Sequence, residues 1–138
     1  MARNKYLDHL RSVALFADLP KHELEVVDKA ATELNVRAGD VLIREGTVAH
    51  EMVVVVSGEL EVTRNGEHVA DLGPGDFAGE MALLTHAPRH ATVTAKTDAT
   101  LLHIDGRQFS IVLDEAPQIA VKMLPILAGR VIEASTPV

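Results

Sequence analysis

Apolar residues change their spacing twice along this chain, and each change marks a boundary between kinds of structure. Leu7, Leu10, Ala14 and Leu15 recur near a helical interval. After Asp18-Leu19-Pro20 a second stripe runs through Leu24, Val27, Ala30, Ala31 and Leu34. Glu23 and Glu25 suit its first turn, where a carboxylate meets the positive end of the helix dipole. Residues 1–34 are therefore predicted to be N-terminal helices.

Residues 35–105 have a different rhythm. Glycines at 39, 46, 58, 66, 73, 75 and 79 punctuate short β-rich runs. These are Val41-Leu42-Ile43, Met52 to Val56, Leu60 to Thr63, Val69 to Leu72, Ala91 to Ala95 and Thr100 to Ile104. Short strands so spaced predict a sandwich or barrel-like roll. Arg64-Asn65-Gly66-Glu67 predicts a two-residue hairpin, because Asn-Gly tolerates the positive φ of a type I′ turn. Helical spacing returns in residues 105–134. A short helix is expected around Arg107–Leu113, a break at Ala116-Pro117, then a longer helix with Ile119, Met123, Leu127 and Val131 each four apart. Pro125 should kink that helix or end its first half, since it lacks an N–H and clashes with the preceding turn. The four-apart stripe fits core packing, a seam between two copies of the chain, or a lid over a ligand.

Length and composition narrow the function. A chain of 138 residues is one domain, with enough length for a core that needs no staples. No cysteine is present, which excludes disulfides, thiol catalysis and Cys-ligated zinc. Thirteen basic against twenty acidic residues give a net charge of −7, the wrong sign for a nucleic-acid surface. Three Phe, one Tyr and no Trp leave little for base stacking. No apolar run approaches the roughly 18 residues of a membrane span. The charged start MARNKYLDHLRS lacks the apolar centre of a signal peptide. The expectation is a soluble cytoplasmic protein that binds neither nucleic acid nor membrane. No enzyme activity is expected either. Ser12, Ser57, Ser110 and Ser135 lack a nucleophile elbow, and the seven histidines include no His-x-His pair for a metal.

The informative stretch runs from Asp71 to Val93. Glu80–Leu84 reads as a short helical turn preceded by Gly79, which lets a ligand approach the backbone. The first N–H groups of such a turn are unsatisfied and favour a phosphate. Arg89 is the only Lys or Arg between Arg64 and Lys96, in a stretch with Glu67, Asp71, Asp76 and Glu80. Its planar guanidinium suits a two-pronged clamp on one phosphate. Glu80 is an acceptor, and a ribose hydroxyl is a natural donor.

Ala78-Gly79-Glu80-Met81-Ala82-Leu83, a four-residue spacer, then Pro88-Arg89-His90-Ala91-Thr92-Val93 resembles the phosphate-binding cassette of cyclic-nucleotide-binding domains. Gly46, Val53 to Leu60, Leu72 to Asp76 and Leu15 to Pro20 follow that family's pattern too, so the resemblance covers about residues 13–132. It implies a mainly β fold, an eight-stranded antiparallel β-roll with N-terminal helices and a two-part C-terminal helix. It implies one domain over residues 1–138, with the cassette at 78–92. Gly79 and Glu80 would take the ribose 2′-OH. Arg89 would bind the phosphate oxygens, helped by the amides of Ala82 and Ala91. Met81 and His90 complete the candidate nucleotide-binding set.

The implied ligand is cAMP, favoured over cGMP, and the implied output is movement of the C-terminal helix against an effector protein or in a homodimer. Two positions depart from the pattern: Ala78 stands where Phe is usual, and His90 where Ser, Thr or Ala follows the arginine. No aromatic residue is available to cap the base, so Leu124, Leu127, Arg130 or Val131 would do so. The alternative is the same fold without nucleotide binding, acting as a dimerisation or protein-interaction module. Transcription factors of this family continue into a DNA-binding helix-turn-helix. Here four residues, 135–138, follow the last predicted helix.

Overall fold

The computed structural model describes residues 10–135, apart from 12 and 14. Leu7 and Ala14 of the first expected helix lie outside the described residues, as do 136–138. Leu10, Leu15, Phe16 and Leu19 are buried.

Helix α1 (Lys21–Ala30) follows Pro20 and buries Leu24, Val27 and Ala30, as the stripe predicts. It stops earlier than expected. Ala31 is already extended, and Thr32–Val36 form strand β1 with Leu34 39% exposed. The reason is backbone pairing: β1 pairs antiparallel along its whole length with β8 (Ala99–Asp105), from Thr32↔His103 to Val36↔Ala99. A continuous ladder outweighs the weak helical preference of two more apolar positions.

Strands β2 (Val41–Ile43), β3 (Glu51–Ser57), β4 (Leu60–Arg64), β5 (Glu67–Leu72) and β7 (Thr92–Ala95) fall on the expected runs. Strand β6 (Phe77–Ala78), only two residues long, was not expected. The eight strands make two antiparallel sheets, ordered β1-β8-β3-β6 and β2-β7-β4-β5. The β4–β5 hairpin turns at Asn65 and Gly66, with φ of 54° and 81°, and Arg64 faces Glu67 across it. Helix α2 (Glu80–Thr85) lies between β6 and β7. Helix α3 (Gly106–Glu115) is capped by Asp105, whose carboxylate accepts from the Gln108 N–H. Helix α4 (Pro117–Ser135) follows the break at Ala116 and runs through Pro125 without ending there.

Strand β3 shows why its sequence is continuously apolar. Val53 and Val55 point between the two sheets, with Leu60, Val93, Ala95 and Leu101. Met52 and Val54 point the other way, into a second core with Phe77, Leu102, Ile104 and the helices. Both faces of the strand are therefore buried, and alternation disappears. Ile119 and Met123 of α4 join the helical core. The stripe then leaves the core: Leu127 is half-buried and Val131 is 48% exposed, so the predicted face is not buried along its whole length.

Leu101 has no exposed surface and sits between the sheets. Leu101→Ala should cost about 2–5 kcal/mol in urea unfolding, whereas Val131→Ala should stay within about 0.5 kcal/mol.

Candidate ligand-binding site

Strand β6 brings Ala78 beside Val53 of β3, and the chain then turns through Gly79 into α2. Gly79 has a φ of +94°, a conformation that side chains resist. Space is closed to it as well. A Cβ there would lie 2.7 Å from Nη1 of Arg89 and 2.9 Å from the Glu51 carbonyl. Glycine is required by both the dihedral and the neighbours.

Arg89 is 5% exposed, and its backbone is pinned in both directions. Its N–H donates to the Thr47 carbonyl at 2.8 Å, and its carbonyl accepts from Gly46 at 2.7 Å. The guanidinium is aimed by three further bonds. Nη1 donates to the Gly79 carbonyl at 2.8 Å, and Nη2 donates to the Glu51 carbonyl and, at 3.2 Å, to Glu51 Oε1. Burial lowers the Arg89 pKa from its ordinary value, opposed by Glu51 and Glu80. His103 on β8 stands 3.8 Å from the other Glu51 oxygen.

Glu80 opens α2 and is completely buried. Its Oε1 accepts from Arg130 Nη1 at 2.6 Å. Its Oε2 is buried with no hydrogen-bond partner among the described residues. Arg130 comes from α4, also donates to the Phe77 carbonyl at 2.6 Å, and lies 4.7 Å over the Phe77 ring.

Of these groups, Gly79, Glu80, Arg89 and Arg130 line one cavity of about 200 Å³. Gly79, Glu80, Met81 and Ala82 line it from β6 and α2, and Arg89, His90 and Ala91 from the approach to β7. The structure thus brings all the expected site residues to one place. Ala78 is buried in the inter-sheet core and also lines the cavity, so a larger side chain there would take cavity volume. Among the four residues considered for capping, only Arg130 lines the cavity. Leu124 and Val131 are exposed, and Leu127 packs against the helical core.

Two contributors were missed. Arg64 lines the cavity from β4, and its Nε donates to the His90 carbonyl at 3.1 Å. Glu51 aims Arg89 from the start of β3. A signal existed for Glu51: it shares the period-two parity of Val53 and Val55, whose face is inward.

The site is thus a cavity on a β-roll, lined by a buried cation, a buried carboxylate and an arginine from the C-terminal helix. The cyclic nucleotide-binding domain family matches residues 33–116, and the chain belongs to that family. It is 43% identical over 97 residues to a cAMP-dependent protein kinase regulatory subunit of Yarrowia lipolytica, covering 69% of this chain and 26% of that protein. It is 38% identical over 109 residues to a cyclic nucleotide-gated potassium channel of Rhizobium etli, covering 79% of this chain and 30% of that one. The regulatory domain of Toxoplasma gondii PKA, solved with cAMP, superposes with a TM-score of 0.69 at 36% identity, over 80% of this chain and 44% of that one. The chain thus spans under a third of the length of these curated relatives. Among the described residues, no helix is long and apolar enough to cross a membrane.

Gly79→Ala should displace the Arg89 guanidinium as well as strain the backbone, costing about 2 kcal/mol or more in chemical denaturation. Arg130→Ala should leave the Glu80 carboxylate unmatched and lower stability by about 1–3 kcal/mol. In Glu80→Gln the same truncation should cost less, which a double-mutant cycle would read directly.

Proposed function

We propose that this chain is a non-catalytic regulatory domain that binds a cyclic nucleotide, cAMP in preference to cGMP, and signals through α4. One observation carries the reading: a fully buried Glu80 keeps one oxygen unpartnered among the described residues, and it lines the same cavity as the buried, aimed Arg89 guanidinium. A ribose 2′-OH would supply the donor that oxygen lacks, and a phosphodiester would meet the arginine donors left over. The preference for cAMP follows the Yarrowia lipolytica relative, a cAMP-dependent protein kinase regulatory subunit, and the Toxoplasma gondii PKA domain solved with cAMP.

Signalling follows from Arg130. It ties α4 to the same carboxylate that would hold the ribose, so ligand and helix share one residue. A ligand shifts the helix only through its differential affinity for the two helix positions. The large apolar side chains that α4 leaves exposed, Val121, Leu124, Ile126, Val131 and Ile132, are where an effector protein or a second copy would meet it.

A second reading has its own support. Arg89 and Glu80 already have protein partners, and a domain that had given up nucleotide would keep such internal pairs as structure. Titration calorimetry separates the two readings. A sensor binds cAMP measurably, with a micromolar constant corresponding to about −8 kcal/mol. Arg89→Lys keeps the charge but loses the fork, and should weaken cAMP at least about tenfold with the fold retained. Glu80→Ala should weaken cAMP more than 2′-deoxy-cAMP; equal losses would refute the ribose assignment. No heat and no thermal stabilisation at millimolar cAMP or cGMP would establish the interaction module instead.

A further inference from the structure

His90 occupies a place with unusual charge surroundings. It follows Arg89 directly and lines the same cavity. Its carbonyl is tied to Arg64, but its ring nitrogens have no hydrogen-bond partner among the described residues. Arg64 of β4 and Arg130 of α4 act on the imidazole from the cation side, and Glu80 of α2 and Glu45, which follows β2, from the anion side. Burial, then Arg64 and Arg130, lower its pKa below the ordinary histidine value, with Glu80 and Glu45 opposing. His90 is nonetheless an exposed residue, so in the free domain partial burial and the neighbouring guanidinium groups disfavour the protonated ring without removing it from solvent.

We infer that His90 is a proton-linked contact of the bound ligand: an anion seated beside Arg89 draws a solvent proton onto the imidazole, so the domain binds its ligand more tightly in mildly acidic solution than in neutral. This rests on the reading of the cavity as a cyclic-nucleotide site. The physical cause is the sign of the added charge. A phosphodiester is a permanent monoanion across this range, so the proton cannot settle on the phosphate itself. Bound at Arg89, it offsets the cationic field of Arg64 and Arg130 and gives the protonated ring a charge-assisted partner. Both effects favour imidazolium in the complex and not in the free domain. Linkage then fixes the direction: the complex holds more protons than the free protein, so affinity rises as pH falls. The effect is confined between the lowered pKa of the free domain and the higher one of the complex. Its ceiling is one proton, or about tenfold in affinity per pH unit. A hydroxyl or methyl side chain at this position could not produce it.

The test is titration calorimetry of the full chain with cAMP, in pairs of buffers with different ionisation enthalpies, from about pH 5.5 to 7.5. The wild type should take up a fraction of a proton per ligand and bind several-fold more tightly at the acid end. His90→Gln keeps a side-chain donor but cannot titrate. It should still bind cAMP, with the proton uptake and the pH slope greatly reduced. The imidazole C–H resonance of His90 should titrate at higher pH with cAMP than without it. Wild-type binding with no proton uptake would overturn the inference and leave the nucleotide reading intact. Equal uptake in wild type and His90→Gln would also overturn it, by placing the proton elsewhere, for instance on Glu80. Absence of any cAMP or cGMP binding would overturn both readings.

Discussion

A carboxylate with no exposed surface sits at the start of a six-residue helix, and much of the site is arranged around matching it. Removing Glu80 from water is costly unless its oxygens find donors. Arg130 supplies one from α4, on the far side of the chain sequence. That single bond reaches from the cassette to the C-terminal helix and adds a second anchor on the Phe77 carbonyl and ring. The other oxygen has no partner among the described residues, and in the proposed function a ligand hydroxyl would supply the missing donor. On the proposed reading, stability and ligand binding would share this one side chain. In the proposed function, altering the Arg130 contact would change both the hold on α4 and the acceptor offered to a ligand.

The second constraint is the aim of Arg89. A buried guanidinium must also be matched, and it is matched by carbonyls at Gly79 and Glu51 and by the Glu51 carboxylate. This network explains why glycine is needed at 79 and why the chain at Gly46 and Thr47 bonds the Arg89 backbone in both directions. The donors point where the β-roll, not the flexible side chain, puts them. Binding of an anion then requires little ordering of the arginine, because its conformational freedom has been given up in folding.

Much of this was legible in residue spacing. The glycine-punctuated runs marked six of the eight strands, and Asn65-Gly66 marked the hairpin through its demand for positive φ. The cassette was legible because a glycine, an acid and a lone arginine must stand in fixed order to reach one cavity. Strand β1 was not, because its apolar positions continue a helical stripe and only the β8 ladder decides against it. Strand β6 is too short to carry a period. Pro125 was expected to kink the last helix or end its first half, and an exposed proline within a helix held by Ile119 and Met123 on the core does not end it. Arg130 was one of four capping candidates, and spacing on α4 could not choose among them. The choice comes from tertiary contact with a carboxylate fifty residues away in sequence. Glu51 was marked only by the parity it shares with Val53 and Val55, and Arg64 acts from a neighbouring strand, beyond the reach of a motif on one segment.

The most direct measurement is a crystal structure of the chain grown with saturating cAMP. The ribose 2′-OH should donate to Glu80 Oε2, and the phosphate should lie on the Arg89 donors, within ordinary hydrogen-bond distance. A cavity still empty at saturating ligand, or a nucleotide bound with its ribose away from Glu80, would contradict the assignment of this buried carboxylate as the centre of a cyclic-nucleotide site.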